Sequence, residues 1–157
     1  MTEPTVVVLQ EAVSREAFAE LAASRGWKSM GDVVRGHFVL ASERYTTPDG
    51  TTLEYLEDHT GDVRYVQLRG GRQDELANLI RQHLPSYTAE ELLRTLGSDE
   101  EPLTWIRGLS RLAAYRPATM QTRQLAVWSR GLNPPEVAIR RAAIRTSYGC
   151  LWPELLP

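Results

Sequence analysis

The order of apolar and polar residues predicts an antiparallel sheet in the first half of the chain. Three runs rich in β-branched and aromatic residues alternate with a period of two, at 37–46, 52–57 and 63–69. The segment 47–50, TPDG, suits a tight turn because proline presets φ and glycine accepts a positive φ, and 58–62 forms a second turn. Because such short loops join neighbouring antiparallel strands, we expect a three-stranded meander.

A strand and a helix are predicted before this meander. The short run 5–10 is β-branched and apolar, which favours a strand. Ser14 has the side chain of a helix N-cap, apolar residues follow it at helical spacing, and Gly26 is the type of residue that ends a helix. We therefore predict a helix over 15–25.

The period of the apolar residues changes from two to 3.6 after the glycine pair at 70–71, which predicts a helical second half. Thr88 and Glu91 have the spacing of a capping box. Glycine and proline divide the region into five predicted helices, at 73–84, 88–96, 101–115, 119–131 and 134–149. The predicted fold class is α+β: an N-terminal helix with a three-stranded antiparallel meander over 1–70, then α-helical hairpins over 71–157, in one compact unit.

The last predicted hairpin has the pattern of a known repeat. In its second helix, at 133–144 (NPPEVAIRRAAI), an isoleucine–arginine step at 139–140 precedes a patch of small residues at 142–143. This segment resembles the second helix of a HEAT repeat, and 121–130 would be the first helix of that repeat. The resemblance implies stacked helical hairpins whose surfaces bind other proteins.

An earlier copy of the repeat is predicted from the helices at 88–96 and 101–115. Its isoleucine–arginine step at 106–107 precedes the one at 139–140 by 33 residues, a period typical of helical repeats. The run 55–70, YLEDHTGDVRYVQLRG, resembles a segment of uncharacterised bacterial proteins in which a meander precedes HEAT-like helices. That likeness implies no activity.

Composition and charge limit the cellular compartments and the kinds of partner that we expect for the protein. The chain of 157 residues has a formal net charge of -2, which gives no general attraction to nucleic acid or to an anionic membrane. It contains one cysteine, which excludes an internal disulfide. Its first residues do not have the pattern of a signal peptide and no apolar run reaches membrane-spanning length, so we expect neither a signal peptide nor a membrane span. We therefore expect a cytoplasmic protein without a membrane partner.

The segment 54–62 has the residues best suited to chemistry. It contains Glu54, Glu57, Asp58, His59 and Asp62, which together could bind a divalent cation or share a proton. Strand alternation, however, puts Glu57 and Asp58 on opposite faces, and short polar residues at 58–62 are typical of a turn. We predict no catalytic residues, no metal site and no cofactor, and keep a small enzyme with a site near Asp58 and His59, between the two halves, as the alternative.

Arginines on two predicted helices form the candidate partner surface. The members of each pair, Arg107 with Arg111 and Arg141 with Arg145, are four residues apart and share a helix face. The predicted partner-binding residues are Arg107, Arg111, Arg140, Arg141, Arg145 and Trp152, and we call the five arginines the arginine ridge. A solvated face on which these arginines pair with nearby glutamates is the competing explanation.

These patterns favour a non-catalytic protein-interaction or adaptor module that uses helical-repeat surfaces. Its partner would be another protein of unknown identity. The apolar end around Trp152 also suggests a homodimer, because the last helix of a repeat stack needs a cover. Weak nucleic-acid binding through the arginine ridge is the second alternative, and it would depend strongly on salt.

Overall fold

The computed structural model of the protein describes residues 3–33, 41–58, 62–96, 101–115 and 137–150. The predicted helix at 119–131, His59 and Trp152 lie outside these residues. The fold is α+β, as predicted, with an antiparallel sheet and α-helices. Contacts within the chain divide it into a first unit, Met1–Tyr87, and a second unit, Thr88–Pro157.

The first unit is built on a five-stranded antiparallel sheet in the order β1-β5-β4-β3-β2. Its strands are β1 (Thr5–Leu9), β2 (Lys28–Asp32), β3 (Ala41–Thr46), β4 (Thr52–Asp58) and β5 (Val63–Arg69). The predicted meander is the β3-β4-β5 part of this sheet, and β1 and β2 add one strand at each edge. All five residues of β2 are exposed, so this strand lacks the alternation that would have predicted it.

Two helices of the first unit contribute to the core on one face of the sheet. They are α1 (Arg15–Ser24) and α2 (Gln73–His83). The hydroxyl of Ser14 accepts a hydrogen bond from the amide of Ala17 at 3.1 Å, which satisfies a free donor at the start of α1 as the sequence predicted. α2 contacts β1 and β5.

Aromatic side chains fill the centre of this core. The ring of Phe18, on α1, is fully buried. Its centroid lies 5.4 Å from that of Tyr45 and 5.3 Å from that of Tyr55, with Trp27 at 6.3 Å. Burial of these large apolar surfaces is the main force that holds α1 on the sheet.

The second unit contains α3 (Ala89–Leu96), α4 (Pro102–Tyr115) and α5 (Val137–Cys150). α4 contacts both α3 and α5. The predicted capping box is present: the amide of Thr88 donates to Glu91 Oε2 at 2.8 Å, and the amide of Glu91 donates to Thr88 Oγ1 at 3.1 Å.

The prediction of HEAT-like repeats is wrong. Residues 33 positions apart would occupy equivalent places in successive repeats and would have similar burial. In the described parts of α4 and α5 this holds only in part: Leu109 and Ala142 are both buried, but Gly108 is buried while Arg141 is exposed, and Arg111 is buried while Ile144 is exposed. The similarity of residue types around 106–107 and 139–140 therefore does not reflect a repeated helix.

Candidate functional site

The face of the sheet opposite α1 and α2 has an apolar part and a polar part. Side chains alternate along each strand, so every second residue belongs to this face. Its apolar part is buried and consists of Val6, Val8, Leu56, Val63 and Tyr65. In its polar part the strand register places Glu54 of β4 directly between Arg44 of β3 and Gln67 of β5.

The polar part forms a cleft of about 230 Å³. Arg44, Thr52, Glu54, Gln67 and Arg69 line it, and we call it the polar cleft. Thr52 and Arg69 are cross-strand partners in the row next to Glu54 and Gln67. Because all five residues belong to three adjoining strands, sheet pairing alone sets their spacing.

The floor of the polar cleft is formed by two buried polar residues. Glu54 and Gln67 are each 7% exposed. Arg44 Nη2 lies 3.5 Å from Glu54 Oε2. Among the residues that the structure describes, no hydrogen bond is made by the side-chain amide of Gln67. The amide reaches solvent in the cleft, so it can form hydrogen bonds with a ligand or with water that enters there.

The rim of the polar cleft is positively charged. Arg69 is exposed, and within the described part of the chain no acidic side chain pairs with its guanidinium. Its carbonyl oxygen accepts a hydrogen bond from Thr52 Oγ1 at 3.4 Å. Arg44 and Arg69 together carry two positive charges, and Glu54 supplies one negative charge. The net charge of +1 favours an anion.

The volume of the polar cleft limits the size of what it can hold. Pockets for drug-sized ligands usually measure about 300–1,000 Å³. At about 230 Å³ the cleft lies below that range. It can accept a small anion or one side chain of another protein.

The predicted arginine ridge has members in different environments. Arg111 is only 7% exposed, and burial lowers the pKa of its guanidinium. Arg107 and Arg140 are partly buried and Arg141 is exposed. The side chain of Arg145 lies outside the described residues, as does Trp152. Partner binding, homodimer formation and nucleic-acid binding through these residues stay predictions.

The acidic segment around Asp58 is split between the two faces of the sheet, as alternation predicts. Glu57 faces the helices, where its Oε1 accepts a hydrogen bond from the Tyr55 hydroxyl at 2.7 Å and lies 3.8 Å from Arg64 Nε. Burial and this hydrogen bond raise the pKa of Tyr55. Asp58 pairs with Val63 and points to the other face. Because His59 lies outside the described residues, an enzyme site there stays a prediction.

The sequence predicts the polar cleft only weakly. Arg44, Glu54 and Gln67 are polar residues that alternate with apolar residues of the opposite face, a pattern common to any sheet with one partly wet face. Their convergence, however, depends on the register of three strands, which the sequence does not display.

Neither a metal centre nor a membrane-spanning helix is found in the described residues. No group of three or more His, Cys, Asp and Glu side chains there could hold a metal ion. No helix in the same residues combines the length and the apolar character needed to cross a bilayer.

Comparison with known proteins adds no relative. No family model, no curated protein and no solved structure matches the chain. The resemblance to HEAT repeats and to bacterial proteins with HEAT-like helices therefore has no support from these comparisons either.

Proposed function

We propose that the protein is an interaction module whose polar cleft binds an acidic side chain of a partner protein. The observation that carries this proposal is the arrangement of Arg44 and Arg69 around a small cleft with a net charge of +1. Guanidinium groups bind carboxylates through forked, charge-assisted hydrogen bonds.

The two arginines have different roles in this proposal. Arg69 lies on the rim, where its exposed guanidinium can meet the carboxylate first. Arg44 is held beside the floor by Glu54 at 3.5 Å, a long contact that leaves other donors of its guanidinium available to a ligand. The amide of Gln67 can donate to the same carboxylate from the floor.

The size of the polar cleft supports one side chain as the ligand. The carboxylate and stem of a glutamate or aspartate fit in about 230 Å³, while the rest of the partner would lie outside on the sheet. A single charged contact gives modest affinity, so the module would need further contacts to hold its partner.

A titration with two capped tripeptides tests the proposal. The ¹⁵N-labelled full chain is titrated with Ala-Glu-Ala and with its neutral counterpart Ala-Gln-Ala, and amide chemical shifts are followed. We expect saturable shifts in β3, β4 and β5 with the glutamate peptide and much smaller shifts with the glutamine peptide. Equal shifts with both peptides, or shifts confined to other parts of the chain, would overturn the proposal.

Charge reversal on the rim gives the matched control. Arg69→Glu should abolish the shifts caused by the glutamate peptide because the net charge of the polar cleft becomes -1. Arg81→Glu reverses an exposed arginine on α2, whose residues pack against the other face of the sheet. This variant should bind the peptide as the wild type does.

A further inference from the structure

We infer that Glu54 makes the polar cleft selective for singly charged carboxylates over doubly charged anions such as sulfate or a phosphate monoester. This inference rests on the proposed function, because it names the chemical class of the group that the cleft binds. It also gives the buried carboxylate a role: Glu54 would be a specificity-determining residue.

The position of Glu54 in the polar cleft is the first reason for this selectivity. It lies on the central strand of the polar cleft, directly across from Arg44 on one side and from Gln67 on the other. Arg69 follows two residues after Gln67 on the same face, which puts it diagonally next to Glu54. A ligand that contacts either arginine therefore lies close to the carboxylate of Glu54.

The net charge of the polar cleft with each kind of anion bound is the second reason for this selectivity. With a net charge of +1 from its lining residues, the polar cleft becomes neutral when it binds one singly charged carboxylate. A doubly charged anion leaves a net charge of -1 beside a residue that is only 7% exposed. Each charge of the ligand is repelled by Glu54, and the cost of removing an anion from water grows with the square of its charge. The second charge is therefore unfavourable in a cleft whose lining supplies only Arg44 and Arg69 as cations.

The neutral side chain of Gln67 in the floor is the third reason for this selectivity. Gln67 offers amide N–H donors to a carboxylate without adding charge, whereas a phosphate site usually gathers additional cationic groups. Among the lining residues only Arg44 and Arg69 are cationic, and Arg44 is already paired with Glu54. The donor set therefore suits a carboxylate.

The test compares two small anions on the full ¹⁵N-labelled protein at matched ionic strength. Propionate, which reproduces the end of a glutamate side chain, is the singly charged probe and sulfate is the doubly charged probe. We expect wild-type protein to bind propionate about ten-fold more tightly than sulfate, from shifts in β3 to β5. In Glu54→Gln, which keeps the size of the side chain, the affinity for sulfate should rise about ten-fold or more relative to propionate.

A second variant keeps the test valid if Glu54→Gln does not fold. Thr52→Lys leaves Glu54 in place and raises the net charge of the polar cleft to +2, so it should also gain affinity for sulfate. Equal affinity of the wild type for both anions overturns the inference. So does an unchanged preference in a folded Glu54→Gln variant, or in Thr52→Lys if Glu54→Gln does not fold.

The outcomes separate this inference from the proposed function. If the wild type binds propionate in the polar cleft but the substitution leaves the preference unchanged, the proposed function stands and the role of Glu54 is wrong. If neither anion causes saturable shifts in the wild type, both the proposed function and the inference fail.

Discussion

The guanidinium of Arg44 lies 3.5 Å from the carboxylate of Glu54, across the β3-β4 pair. The two side chains are unequally shielded, because that of Glu54 is 9% exposed while that of Arg44 is 42% exposed. Solvent therefore screens one partner of the ion pair, and the pair contributes less to stability than its position in a sheet suggests.

A double-mutant cycle measures this pair. We expect the variants Arg44→Ala, Glu54→Gln and their combination to give a coupling free energy of about 0.5–1 kcal/mol, from urea unfolding. A larger value would mean that the pair is more desolvated than the exposure of Arg44 indicates, and a value near zero would mean that Arg44 is free to turn towards a ligand.

The turn after β5 offers a sharper test of backbone geometry. Gly70 has a φ of +141°, and a Cβ added there would lie 2.9 Å from Thr51 Cα. Gly70→Ala should therefore lower the free energy of unfolding by about 1–3 kcal/mol. Gly71→Ala is the matched control, since its added Cβ meets no atom within 4 Å, and it should leave stability nearly unchanged. Equal effects of the two substitutions in urea unfolding would contradict this account.

Local features of the fold could be predicted from the sequence because they depend on a few neighbouring residues. The N-cap at Ser14, the capping box at Thr88 and the positive φ of Gly26 and Gly50 each involve side-chain or backbone chemistry within one turn. The β3-β4-β5 meander was predictable for the same reason, since short turns link its strands.

Features that depend on distant residues could not be predicted in this way. β2 forms by pairing with β3, and its own residues KSMGD favour no strand. The polar cleft needs Arg44, Glu54 and Gln67 to align across three strands, and only the register brings them together. The repeat prediction failed for a related reason. Similar residue types occur 33 positions apart in the second unit, but the burial of each residue depends on which helix its own helix packs against, and a sequence spacing does not show that.

The carboxyl of Glu43 gives a prediction for pH. Burial opposes its ionisation, but hydrogen bonds from Ser29 at 2.9 Å and Arg15 at 3.1 Å outweigh burial and hold its pKa below the ordinary value of about 4.5. Because the unfolded chain binds a proton at higher pH than the folded one, this contribution is complete above about pH 4.5 and is lost as the pH falls towards the lower folded pKa.

Glu43→Gln tests this dependence. At neutral pH the variant should be less stable than the wild type by about 1 kcal/mol, and the difference should shrink as the pH falls below about 4.5 in urea unfolding at several pH values. Glu20→Gln, which removes an exposed carboxylate from α1, is the control. A difference between Glu43→Gln and wild type that stays constant from neutral to acidic pH would be evidence against the hydrogen-bonded carboxylate.

Arg111 and Arg141 should contribute differently to the stability of the second unit, because Arg111 is buried and Arg141 is exposed. Arg111 is 7% exposed on α4, so Arg111→Ala should remove buried packing and lower the free energy of unfolding by about 2 kcal/mol. Arg141→Ala, at an exposed position on α5, should change it by less than about 0.5 kcal/mol. Urea unfolding of the two variants beside the wild type makes the comparison. If Arg111→Ala were as stable as the wild type, the Arg111 side chain would contribute nothing to packing. It could then contact a partner together with the rest of the arginine ridge.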